Sequence, residues 1–247
     1  MTHVLRRHPF EVKAHLRRSL VLAYSVPEEA LEGLLLPGLT LDTHSGHGFL
    51  VVAMVETAGM RPSHVPQALG RSFFLAGYRL FVRYKTQSGK SLRGLQVLRS
   101  ETNSSWLLRS GNLLTHYRYV RVEPECLLTG SRYRVIVRQD KATRLEVTAD
   151  LENHTLPCRS IFCDVKDARR FAGPMPFTFS YEKETHSVIR VEGVRQDWDP
   201  QMVAVDVPVP PDFAALNVPP EAPRLASAFY LEDVPYRWKR GIVEAIS

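Results

Sequence analysis

The stretch Gly77–Val122 reads GYRLFVRYKTQSGKSLRGLQVLRSETNSSWLLRSGNLLTHYRYVRV, and its reading decides the fold. Tyr78, Leu80, Val82 and Tyr84 alternate with Arg79, Phe81 and Arg83. Period-two patterning in aromatic and β-branched residues predicts a strand. Gln87-Ser88-Gly89 supplies the turn, with Gly89 free to adopt a positive φ. Leu92–Ser100 then returns as a second strand and Leu114–Val122 forms a third. The result is a meander carrying arginines and a histidine on its faces.

Outward from the meander, Leu16–Tyr24 reads as an early strand. Ser25 precedes Val26-Pro27-Glu28-Glu29, which combines an N-cap residue, a first-turn proline and acids at the positive helix end. This predicts a short helix to about Leu35, stopped by Pro37-Gly38. Leu39–Asp42 is extended and Phe49–Thr57 is a valine-rich strand; Gly59–Gly70, with Pro62 and Pro66, is a long loop suited to covering a site.

Beyond the meander, Ser131–Arg138 and Thr143–Ala149 form a hairpin through Gln139-Asp140-Lys141. Tyr133, Val135 and Val137 share one face; Arg132, Arg134, Ile136 and Arg138 share the other, where cross-strand pairing with Glu146 is expected. Ile161–Phe171 is a predicted helix ended by Gly173-Pro174, and Phe177–Tyr181, Ser187–Val191 and Met202–Val207 are strands. Pro208–Pro223 holds six of the 17 prolines and reads as a stiff connector rather than a packed element. Ala226–Ile246 reads as a strand followed by a short terminal helix. These elements predict a mainly β (α+β) chain, one domain over residues 1–247. Its antiparallel sheet curls into a cone or partly closed β-barrel with two or three short helices, which hides strand edges and leaves an interior pocket.

Composition narrows the function classes. A hydrophobic fraction of 44% excludes disorder, and no apolar run is long enough for a bilayer-spanning helix. Basic residues interrupt the N-terminus before a secretory signal can form, and three scattered cysteines fit a reducing compartment, so the expectation is cytoplasmic. His154, Cys158 and Cys163 lie close in sequence but lack the spacing of a zinc site; no metal is assigned. Without a GxGxxG, P-loop or GxSxG pattern, no cofactor and no serine nucleophile are assigned. The net charge of +6 conceals a basic middle, with 16 basic and 4 acidic residues from Arg61 to Arg144, against 16 basic and 22 acidic elsewhere. A solvated face paired with the acidic remainder explains this better than nucleic-acid binding.

Several short patterns carry a resemblance. Leu35-Leu36-Pro37-Gly38-Leu39 is followed by Leu41-Asp42-Thr43 with Gly46 and Gly48. Then come Phe74 with Tyr78-Arg79-Leu80-Phe81-Val82, next Arg93-Gly94-Leu95-Gln96-Val97-Leu98, and last Leu114-Thr115-His116-Tyr117. Their order resembles the YqjF-like proteins, a bacterial family of unknown function, over roughly residues 10–245. The resemblance implies the acetoacetate decarboxylase-like fold, a mostly β cone with an enclosed pocket. In the decarboxylase a pocket lysine forms a Schiff base, which demands an amine whose pKa is lowered by burial or a nearby cation. Gly111–Tyr119, the stretch that resembles the lysine-bearing one, contains no lysine, and the Glu and Asn that often precede the arginine are here Leu75 and Gly77. The seven lysines (Lys13, Lys85, Lys90, Lys141, Lys166, Lys183 and Lys239) all fall in turns, charged stretches or terminal settings. Lysine-dependent decarboxylation is therefore not expected.

The candidate ligand residues are Arg79, Phe81, Arg99, Glu101, His116 and Tyr117. If the Arg79–Phe81 face looks inward, Arg79 can clamp a carboxylate or phosphate; otherwise it is an exterior residue or pairs with Glu101. Arg99 and Glu101 share a face and can pair, or Glu101 can act as a general base. His116 and Tyr117 point to opposite faces of a regular strand, so only one can line a pocket. Three functions follow. The first is a protein binding a small organic anion. The second is a lyase- or hydrolase-type enzyme on a small carboxylate or keto acid, using Glu101 or His116. The third is a scaffold or nucleic-acid-associated protein using Arg132, Arg134, Arg138 and Arg144. Edge-strand pairing also allows a homo-oligomer.

Overall fold

The structure is a computed structural model that describes residues 3–171, 175–196 and 198–246. The strands are β1 (Val12–Pro27), β2 (Leu39–Leu41), β3 (His47–Pro62), β4 (Arg71–Lys85) and β5 (Ser91–Thr102). Helix α1 (Ser105–Leu114) leads to β6 (Tyr119–Arg121), β7 (Glu123–Thr129), β8 (Arg132–Gln139) and β9 (Ala142–Asp150). After α2 (Val165–Phe171) come β10 (Phe177–Glu182), β11 (Ser187–Arg195), β12 (Gln201–Met202), β13 (Ala204–Val209), β14 (Arg224–Trp238) and β15 (Ile242–Ala245).

The long sheet runs β14-β1-β3-β4-β5-β10-β11 and curls until β11 pairs with β14, so these seven strands close a ring. All pairings in the ring are antiparallel except β5–β10. Alternation along β4 gives each face its job. Phe74, Ala76, Tyr78, Leu80, Val82 and Tyr84 pack into the main core outside the ring, facing the second sheet β13-β9-β8-β7. That sheet contributes Tyr133, Val135, Val137, Leu145, Val147 and Ala149, all buried. Leu75, Arg79 and Phe81 project the other way, into the ring.

The predicted meander is correct in its first two strands and wrong in its third. Ser104 Oγ accepts a bond from the Leu107 amide at 3.2 Å and starts α1, which takes up Ser105–Leu114; only Tyr119–Arg121 is extended, and it runs parallel to β5. The helix expected after Ser25 does not form. Val26 is fully buried and β1 keeps pairing with β3 as far as Pro27 opposite His47, so two extended neighbours outcompete a local cap. Two 3-10 turns, Glu28–Ala30 and Glu32–Leu34, follow instead.

Other departures have similar causes. The loop expected over Gly59–Gly70 is shorter, because β3 runs through Pro62. Met202–Val207 divides between sheets, with Met202 opposite Phe229 and Val205 opposite Ala149. The Pro208–Pro223 connector is packed: Phe213 meets Tyr24 edge-on at 4.9 Å and Val218 is buried. The C-terminal helix is replaced by β15, which pairs with β11. Helix α2 begins only at Val165, and Gly173-Pro174 lies outside the described residues.

Candidate functional site

Every strand of the ring contributes to an interior cavity. One lobe, of about 130 Å³, is walled by residues including Val21 (β1), Ala53 (β3), Arg79 (β4), Leu95 (β5), Thr178 (β10), Arg195 (β11) and Tyr236 (β14). A second lobe, of about 120 Å³, is closed by α1 through Trp106, Leu107, Ser110 and Gly111 and adds Tyr117 and Tyr119. The lobes share Leu75, Arg79, Thr178 and Trp238, so the guanidinium side chain of Arg79 belongs to both. Most of the remaining wall is aliphatic or aromatic, and among the described residues it holds no carboxylate and no lysine.

Three glycines make room for the polar groups of this cavity. A Cβ at Gly77 would meet Arg79, one at Gly111 would meet the Tyr119 ring, and one at Gly193 would meet the Tyr236 hydroxyl. Arg79 is half-buried, and burial lowers its pKa while Tyr236, Tyr119 and Tyr117 oppose that shift. A guanidinium remains charged under such conditions. No described residue accepts a hydrogen bond from it or pairs with it as an anion. Burial pushes the Tyr119 hydroxyl up to about 12 and raises that of Tyr117 as well. Both stay protonated at neutral pH and can donate hydrogen bonds. Arg79 belongs to both lobes, Arg195 adds a second guanidinium to the first and Arg61 one to the other, with neutral donors nearby in largely apolar surroundings, which suits an anion with a small charged end.

The residues singled out from sequence do not all meet here. Arg79, Phe81 and Tyr117 line the cavity. Arg99 and Glu101 do not. The register shift between Tyr78 and Arg79 in the β4–β5 ladder turns Arg99 and Glu101 to the outer face, where they pair with each other at 2.9 Å. Arg99 also reaches Gln139, and Arg144 and Asp212 lie close enough to bias Glu101, whose carboxyl is raised chiefly by burial. Arg79 cannot pair with Glu101 across the sheet. His116 lines a separate cleft with Arg6, Gln96 and Lys183, and burial lowers its pKa; it and Tyr117 diverge in a bend rather than by the alternation of a strand, which does not form here.

Sequence reasoning missed Tyr119, Tyr236, Arg195 and Trp238. The signal for the first was the Ser104 cap, which turns Leu107, Gly111 and Leu114 into one helix face over the cavity. The three C-terminal and β11 residues are assembled only by ring closure, which opposes Arg195 to Tyr236 and Gly193 to Trp238.

The lysines lie elsewhere: Lys13, Lys85, Lys90, Lys141, Lys166 and Lys183 are exposed, and Lys239 pairs with Glu192 at 2.9 Å. The outer arginine face is largely neutralised, because Arg134 meets Glu146, Arg138 meets Glu125 and Arg144 meets Asp212. His154 Nδ1 is bonded to the Met202 carbonyl at 2.7 Å. No described helix is long and apolar enough to cross a membrane.

The fold is similar to that of acetoacetate decarboxylase from Legionella pneumophila, with a TM-score of 0.67 at 12% identity over 96% of this chain and 88% of that one. It is similar also to an acetoacetate decarboxylase-like enzyme from Sphingomonas wittichii RW1, with a TM-score of 0.63 at 14% identity over 98% and 94% of the two chains. The enduracididine biosynthesis enzyme MppR in complex with pyruvate gives 0.60 at 10% identity over 95% and 90%. At these identities the likeness establishes the fold alone. No curated protein matches the chain. Residues 13–221 match the profile of DUF2071, described as an uncharacterized conserved protein, and the chain belongs to that family.

Proposed function

We propose that the chain binds a small organic carboxylate inside the strand ring, with Arg79 holding the carboxylate. One observation carries this reading: Arg79 sits in an apolar cavity without a carboxylate among the described residues around it. A cation partly withdrawn from water into apolar surroundings is costly unless paired, so a site that keeps one suits an anion. Tyr117, Tyr119 and Tyr236 stand near the guanidinium and supply further donors. The aliphatic and aromatic wall selects a short apolar body behind the charge. The three free cysteines fit a reducing, cytoplasmic setting. Acid–base roles for Glu101 or His116 lack support, since neither lines the cavity.

A thermal-shift screen of short carboxylic and keto acids tests the proposal, with Arg79→Met as control. A concentration-dependent rise in Tm that disappears in Arg79→Met is the expected result. Trp198 and Trp238 in the wall give a second readout, a change in tryptophan fluorescence on binding. A ligand that binds Arg79→Met as tightly as the parent chain would refute the assignment.

A further inference from the structure

Beside the ring cavity lies an open cleft of about 760 Å³ on which Lys13, Arg17, Arg61, Arg195 and Arg237 converge together with His15. The lining holds no carboxylate among the described residues. The β-ladder makes this more than a loose cluster. Lys13 on β1 stands directly opposite Arg237 on β14 and Arg61 on β3, so three cations form one row across three adjacent strands. Like charges placed directly opposite each other destabilise a sheet. The acids close by compensate little: Glu11 comes within 3.6 Å of Arg237, and Asp233 is engaged by His15 at 3.1 Å. Arg61 meets only neutral carbonyls, those of Gly59 and Val65.

We infer that this cleft is a second anion site, taking a small ligand that carries a diphosphate or two neighbouring phosphates. A carboxylate has two oxygens and satisfies one guanidinium fork, whereas strands roughly 5 Å apart present three cationic heads that need more acceptors. Arginine forks and a lysine point charge are the usual partners of phosphate oxygens. The site is concave and of small-molecule volume, which favours a compact ligand over a nucleic-acid strand. Arg195 and Tyr236 line both the cleft and the interior lobe, so the two sites share a wall. The inference does not require the carboxylate reading of the cavity.

The test is titration calorimetry of the full chain with inorganic pyrophosphate at about 20 mM and about 200 mM NaCl. Saturable binding at low salt, weakened several-fold or more at the higher salt, is expected. The double variant Lys13→Gln/Arg237→Gln should lose roughly tenfold or more in affinity. The single variant Lys13→Gln should have a slightly higher Tm without ligand, because it relieves the cationic row; that reading shows that the substituted chain folds. Arg79→Met should bind pyrophosphate as the parent does, which separates this site from the cavity. The inference is overturned by absence of saturable binding at low salt, by undiminished binding in the double variant, or by a single-stranded oligonucleotide that binds tightly and is not displaced by pyrophosphate.

Discussion

The position of a Cβ at Gly77 lies 2.7 Å from Nη2 of Arg79 and 2.9 Å from its Cζ, so the guanidinium occupies the space a side chain would take. Gly77→Ala should therefore push Arg79 aside. The displaced atoms end a flexible side chain, so the stability cost should stay near 1 kcal/mol, while carboxylate-induced stabilisation is lost. Gly94→Ala is the contrast: its Cβ would meet the Phe177 carbonyl at 2.5 Å, a backbone atom fixed by the β5–β10 pairing. There the loss should reach about 3 kcal/mol. Urea midpoints of the two variants, read beside their thermal shifts, check both statements.

Borohydride treatment in the presence of acetoacetate should leave the mass of the protein unchanged. A Schiff base needs an amine that is deprotonated at neutral pH and in reach of the substrate, and no described lysine lines the cavity. Intact-mass spectrometry reads the outcome directly. A stable adduct would mean that a lysine reaches the substrate and would end the reading of the cavity as an arginine site alone.

Asp42 is fully enclosed and accepts bonds from Arg83 Nε at 2.7 Å and Arg93 Nε at 2.6 Å, tying β4 and β5 to the segment after β2. Asp42→Ala removes the one carboxylate between two guanidiniums. Both arginines retain some solvent, which softens the penalty; a loss of about 3 kcal/mol is expected, at the low end for a broken buried pair. Chemical denaturation measures it.

The Arg7–Glu182 pair predicts a pH dependence. Hydrogen bonding from Arg7 holds the Glu182 carboxyl below its ordinary range, with Thr185 adding to the effect. A carboxylate whose folded pKa is depressed stabilises the fold above its unfolded value, near ~4.3, and that contribution fades as pH falls through the lower folded value. Glu182→Gln should thus have a lower Tm than the parent at pH 7, and the gap should narrow at pH values below about 4. A gap that stays constant across that range would contradict the assignment.

How far the sequence revealed the site depends on how local the information was. The alternation around Arg79 is a property of seven consecutive residues, and it correctly put Arg79 and Phe81 on one face and Tyr78 and Leu80 on the other. The placement of Glu101 failed because a single extra residue in the β4–β5 ladder reverses every later side chain, and no glycine or proline marks that position. The helix after Ser25 failed because its cap signals compete with pairing to β3 and β14, strands that are distant in sequence. Tyr236 and Arg195 were out of reach for the same reason: they are 41 residues apart and meet only through ring closure.

That closure has a mechanical consequence. The β10–β11 hairpin is joined to the rest of the ring by three residue pairs on the β5 side and three on the β14 side, whereas β1 and β3 match along nearly their whole length. Backbone amides in this hairpin should therefore exchange with deuterium sooner than those of β1 and β3. The staves that breathe first are the ones bearing Thr178 and Arg195, so transient parting of these short seams would widen the way by which solutes reach the chamber.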